Sequence, residues 1–216
     1  MLLAACSPLK IGAAAVVGNQ RITSATLDSD VSSLQQADNQ YGGNQIPADQ
    51  QPQAVLSWLI RFAIRDKVAS DNGISVNKNQ INSALADVNS ELEENAEQNG
   101  SSFNGLAGAL ADLGLPPTQN LITALGQWEA QELAYIEKQN GGKLPTSQTA
   151  ADNAEAELNK ADCRAANSLN IQVSPQYGQL SYDSSNDLYG VSAPANLLSL
   201  PGGAKAATPA SSFPSC

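Results

Sequence analysis

The sequence contains no histidine, and aromatic residues make up only 5% of it. Without histidine the chain lacks the usual general base near neutral pH, the commonest metal ligand and every Ser-His or Cys-His catalytic pair. Charge is scarce too, at 15% of residues against about a quarter in an average soluble domain. The 11 basic residues are scattered and the net charge is −10. Nucleic-acid binding requires clustered Lys and Arg, and anionic lipid requires a polybasic patch, so neither partner fits. No run of about 18 apolar residues occurs, which excludes a spanning helix. Cys-x-x-Cys pairs and a Gly-rich phosphate loop are missing, and Asp183-Ser184-Ser185-Asn186-Asp187 lacks the Gly and terminal Glu of a calcium loop. The expectation is a chain without metal, cofactor, small-molecule substrate or catalytic machinery.

What the sequence does have is alanine, with abundant Asn, Gln and Ser. The apolar fraction is 42%, much of it alanine, so a core must rely on close helix contacts with few large side chains. A length of 216 residues suits one domain plus tails.

Periodicity gives a mostly α reading. Ala13 to Val17 and Arg21 to Thr23 read as short strands about a Gly18-Asn19 turn. Ser24 is the expected cap of a first helix carrying Leu27, Val31 and Leu34 and ending near Gln36, with residues 37–51 as a loop. A second helix runs from Pro52 to about Asn72, with Val55, Leu59, Phe62 and Ala63 inward and Gly73 as its stop. Asn77 and Gln80 form a capping box for a third, whose stripe is Ile81, Leu85, Val88 and Leu92. Its acidic outer end (Glu91, Glu93, Glu94, Glu97) reads as a solvated face. Leu106, Leu110 and Leu113 mark a short fourth helix. Pro116-Pro117 opens a fifth with Leu121, Leu125, Trp128 and Ile136 inward, and a sixth, Ala-rich helix covers about Gln148 to Asn167. Leu169 to Val173 alternates as a strand, and beyond Pro175 the chain turns Ser-, Pro- and Gly-rich.

Leu3-Ala4-Ala5-Cys6 resembles the bacterial lipobox, in which small residues precede a cysteine that is diacylated. Two acyl chains anchor stably where one is marginal. Only five residues precede Cys6, too few for a basic segment and an apolar stretch of about 7–15 residues, so the expectation is a start upstream of Met1 or a trimmed chain. Residues 1–12 then form the lipobox remnant and tether, in which the stretch from Cys6 to Gly12 reaches about 20 Å when extended. The lipobox resemblance implies a chain anchored on the extracytoplasmic face of a cell membrane. Two further thiols, Cys163 and Cys216, make an even count outside the cytoplasm and are expected to pair, although two separate thiols are the alternative. Such a bridge closes a loop of about 54 residues, for which the entropic model gives roughly 4 kcal/mol.

Three stretches carry a wider resemblance. Ala15-Val16-Val17-Gly18-Asn19-Gln20-Arg21-Ile22-Thr23 is similar to the opening hairpin of SurA-like periplasmic chaperones and related extracellular foldases. Ala69-Ser70-Asp71-Asn72-Gly73-Ile74-Ser75-Val76 with Gln80-Ile81 resembles their helix junction, and Ile171-Gln172-Val173-Ser174-Pro175-Gln176-Tyr177-Gly178 their closing strand. The resemblance implies a multi-helix SurA N-terminal-like domain over residues 13–180, with a small sheet in which the closing strand joins the opening hairpin, and a tail over 181–216. It also implies a module that holds unfolded or secreted polypeptide and lacks the family's separate prolyl-isomerase domain. A scaffold lipoprotein holding one folded envelope partner is the alternative.

Ser75-Val76-Asn77-Lys78 fits Ser-x-x-Lys, and Ser70-Asp71-Asn72 fits the second motif of serine acyltransferases, but the order is reversed and no Lys-Thr-Gly follows. Both are better read as helix punctuation. A polypeptide holder needs apolar surface left open. Trp58 and Phe62 on the second helix, with Leu106 and Leu110 on the fourth, are the candidates for it.

Overall fold

A computed structural model of the chain describes residues 11–42, 46–183 and 188–193. The opening hairpin forms β1 (Ala13–Val17) and β2 (Gln20–Thr23), with Val17 opposite Gln20 across the two-residue turn. Gly18 sits at φ +58°, and a β-carbon there would come within 2.9 Å of Leu169 Cδ2. Its N–H donates to the Leu169 carbonyl at 2.7 Å, so the turn needs glycine both for its conformation and for its neighbour.

Thr23 caps α1 (Ser24–Tyr41), its hydroxyl accepting from Thr26 N. The expected cap, Ser24, is therefore the first helical residue. The helix also outlasts the expected stop near Gln36, because Ala37 is buried and Tyr41 packs against the same core. Next comes α2 (Gln51–Asp71), and 12 of its 21 residues are buried, including Leu56, Ile60, Ile64 and Val68 beyond the face expected. A helix covered on several sides is the centre of its domain. The asparagine box at Asn77 and Gln80 opens α3 (Lys78–Gln98) as expected. Only Ala84 of its 21 residues is buried. The short α4 (Gly105–Asp112) precedes α5 (Gln119–Gln139), capped by Thr118, and α6 (Gln148–Ser168), capped by Ser147.

The chain then returns as β3 (Gln172–Val173), which pairs antiparallel with β1 through Ala15 opposite Val173. The sheet order is β2-β1-β3, so the closing strand does lie beside the opening hairpin. Central β1 has Ala14 and Ala15 fully buried, where any larger side chain would hold the helices off. The architecture is thus mostly helical with a small antiparallel sheet.

The boundary expected at residue 180 needs correction. It falls inside β4 (Gln179–Asp183), which pairs with β5 (Leu188–Ser192) in a second, two-stranded sheet. Arg61 Nε donates to Tyr189 O at 2.7 Å, and Val191 N donates to Ser57 Oγ at 2.8 Å, pinning this hairpin to α2. Leu180, Tyr182, Tyr189 and Val191 join the main core. Alternation was present on both strands, but each is only five residues long and lies in Ser- and Asn-rich sequence that reads as loop.

Candidate binding site between α2 and α5

Helices α2 and α5 lie side by side and point the same way. Asp66 is held by Gln127 and Gln131, Arg65 by Glu132, and farther along Lys138 donates to the Asn72 carbonyl. A spacing of four places Trp58, Phe62 and Asp66 on one face of α2, with Arg61 and Arg65 on the adjoining face.

Aromatic side chains fill the upper part of this seam. Trp58 lies 5.8 Å from Phe62 and 6.3 Å, edge-on, from Trp128, centroid to centroid. Its indole N–H donates to Leu113 O at 3.0 Å, which fixes the ring. Arg61 stands 5.1 Å over Trp58, and Arg65 stands 4.7 Å over Trp128. Stacked guanidinium and ring stabilise one another through the ring quadrupole.

Arg65 is the electrostatic pivot, its side chain only 5% exposed. Nη1 binds Glu132 at 2.8 Å, and Nη2 binds Asp162 of α6 at 3.0 Å. Burial works against its charge, but Asp162 and Glu132 outweigh burial and hold its pKa above the usual arginine value. Desolvation in turn pushes the Asp162 carboxyl up despite Arg65. Glu129 is the third carboxylate sharing this one cation. Desolvation, then repulsion from Glu132, raises its pKa to about 7, against the pull of Arg65. Burial, more than the neighbouring carboxylate, is what favours the protonated form of Glu129.

Below the rings lies a cavity of about 110 Å³ lined by Phe62, Asp66, Ala124, Gln127, Trp128 and Gln131. Asp66 Oδ1 accepts from Gln127 Nε2 at 2.8 Å and from Gln131 Nε2 at 2.9 Å. A second void, of only about 20 Å³, is lined by Arg61, Ile64, Trp128, Asp162, Leu188 and Tyr189. The first has room for a side chain, whereas the second is near the about 15 Å³ that admits a single water.

Of the four residues expected to offer open apolar surface, two do not. Leu110 is 1% exposed and Phe62 9%, and both belong to the core formed with Leu115, Leu121 and Leu125. Trp58 and Leu106 are half-buried against the same core. The four do come together, but periodicity marks an apolar face without saying that a neighbour covers it. Cys163 is buried on α6 and disulfide-bonded. Cys6 and Cys216, the expected lipidation site and the expected bridge partner, lie outside the described residues. Among the described residues no group of His, Cys, Asp or Glu is arranged to hold a metal, and no helix is long and apolar enough to cross a membrane. No protein-family model, curated protein or solved structure matches the chain.

The residues that sequence reasoning passed over are Arg61, Arg65, Asp66, Gln127 and Gln131. One signal was available. Arg61, Arg65 and Asp66 interrupt an otherwise apolar helix, and a charge on a buried face implies a partner. The partners themselves, some 60 to 130 residues away, leave no local trace.

Proposed function

We propose that the chain is a non-catalytic holder of extended, unfolded or secreted polypeptide, anchored through acylated Cys6 on the extracytoplasmic side of a membrane. The observation that carries the proposal is the α2–α5 seam, where half-open tryptophan rings adjoin a carboxylate and two side-chain amides at a cavity of side-chain size. Rings take up apolar side chains, and amides and carboxylates take up backbone or side-chain N–H groups. The pairing of β3 with β1 also supports a chaperone-like reading, since it is the arrangement implied by the resemblance to SurA-like N-terminal domains. Half-exposed rings beside hydrogen-bonding groups suit a partner without fixed shape better than one rigid surface.

The test is suppression of aggregation. The purified chain is expected to keep several unrelated denatured proteins in solution at near-stoichiometric ratios, with light scattering as the readout. Trp128→Ala should remove most of that protection. Activity towards none of them, with one folded partner retained on an affinity column, would establish the scaffold reading instead. For the anchor, labelled palmitate should enter the parent chain expressed behind a lipoprotein signal sequence and be absent from Cys6→Ser.

A further inference from the structure

We propose that the cavity between α2 and α5 receives a cationic side chain, of lysine or arginine type, from the bound polypeptide. This rests on the polypeptide-holding reading and specifies what the site selects. Phe62, Ala124 and Trp128 supply apolar walls, and Asp66 supplies the charge. A lysine or arginine has the matching make-up, an alkyl stem that packs against such walls and a charged head at its end.

The carboxylate is built for a partner it does not have. Two amides hold Asp66 Oδ1 and orient the group, while Oδ2 accepts no hydrogen bond from the described residues. Every cation near it on α2 is engaged elsewhere. Arg61 is bonded to Tyr189 O and stacked on Trp58, Arg65 is paired with Glu132 and Asp162, and Lys67 is paired with Asp71. Gln131 adds a second observation. Its Nε2 is fixed on Asp66, which leaves Oε1 as a buried acceptor with no donor, on a residue 7% exposed that lines the cavity. An entering N–H group would meet the Asp66 carboxylate and no competing donor charge. The net charge of −10 favours approach of a cation. An anionic or neutral polar head would face Asp66 at close range or leave it unpaired.

The experiment titrates the full chain with fluorescein-labelled peptides Ala-Ala-Xaa-Ala-Ala, where Xaa is Lys, Arg, norleucine or Glu, read by anisotropy. The same series is repeated on Asp66→Asn, which keeps the acceptor for Gln127 and Gln131 but removes the charge. Butylammonium is titrated alone, read by tryptophan fluorescence. Lys and Arg peptides should bind about tenfold more tightly than norleucine, with the preference shrinking at high salt. Asp66→Asn should reduce it to within about twofold while the unfolding curve stays in place, since Asp66 is exposed. Equal binding of norleucine and Lys peptides, or a preference that survives Asp66→Asn, overturns the pocket and leaves the polypeptide reading standing. Butylammonium binding that depends on Asp66, with no peptide binding, upholds the pocket and overturns the polypeptide reading. Binding of neither overturns both.

Discussion

The core beside the three-stranded sheet and the core between α2, α4 and α5 share helix α2, yet they are filled differently. In the first, Ala14, Ala15, Ala161, Ala165 and Ala166 lie among Leu27, Leu34, Leu56 and Ile60. Small side chains let strand and helices approach closely. In the second, only Phe62, Leu110, Leu115, Leu121 and Leu125 are buried, ringed by half-open Trp58, Trp128 and Leu106. Large rings on two helices cannot close every gap, and the cavity of about 110 Å³ lies there. The alanine-filled side is closely packed, and the ring-filled side keeps the cavity and the buried Gln131 Oε1 that has no donor. Arg65 sits at the junction and ties α2 to α5 and α6 at once.

The largest effect is expected at that junction. Arg65→Met leaves Glu132 and Asp162 near each other without their cation, and should cost about 3–5 kcal/mol in urea unfolding. Adding Glu132→Gln and Asp162→Leu to Arg65→Met should restore most of it, because the buried charges leave together. A smaller loss from Arg65→Met alone would mean that the two sides hold together without it.

Truncations inside each core sharpen the contrast. Leu34→Ala, in the fully buried first core, should cost about 4 kcal/mol, and Leu121→Ala, beside the ring-filled space, about 2 kcal/mol. Equal losses would show that the second core is as tightly filled as the first. A related check uses Gly126, where a β-carbon would meet Leu85 Cγ at 2.5 Å and the Ile81 carbonyl at 2.9 Å. Because a backbone atom cannot step aside as a flexible side chain does, Gly126→Ala should cost about 1–3 kcal/mol and loosen α3 first.

A pH effect comes next in size. The folded chain keeps the Glu129 proton up to about pH 7, whereas the unfolded chain releases it near the ordinary 4.5. Folding therefore takes up a proton between those values, and the Glu129 contribution to stability falls as pH rises from about 4.5 to 7, then stays level. Glu129→Gln should flatten that part of the curve and stabilise the protein above pH 7 by about 1–2 kcal/mol, allowing for partial solvent screening. Chemical denaturation at several pH values measures both. The smallest effect belongs to the surface pair of Lys67 and Asp71, where Lys67→Ala should change stability by at most about 0.5 kcal/mol.

Much of the scaffold was readable in advance. Asn77 with Gln80, the Gly18-Asn19 turn and the apolar stripe of α3 all act within about four residues. Signals of that range survive whatever the rest of the chain does. The β4–β5 hairpin was not readable, since its strands gain their burial from Ser57, Arg61 and the core of a helix more than a hundred residues earlier. The candidate site was half readable. Trp58 and Phe62 stood out as large rings on one helix face, but nothing near them revealed that Phe62 would be covered or that Asp66 would be left open.

The order of the helices, the capping box at Asn77 and Gln80, the opening hairpin and the lack of histidine chemistry follow from the sequence, because each depends on neighbours along the chain or on composition alone. Only the tertiary structure decided which face of α2 became core and which became cleft. Arg65 meets Glu132 and Asp162 across 67 and 97 residues, and Asp66 meets Gln127 and Gln131 across 61 and 65. Such pairs exist because α2 and α5 run side by side in the same direction and α6 closes over them. A carboxylate's partners are set by that packing and by no local pattern.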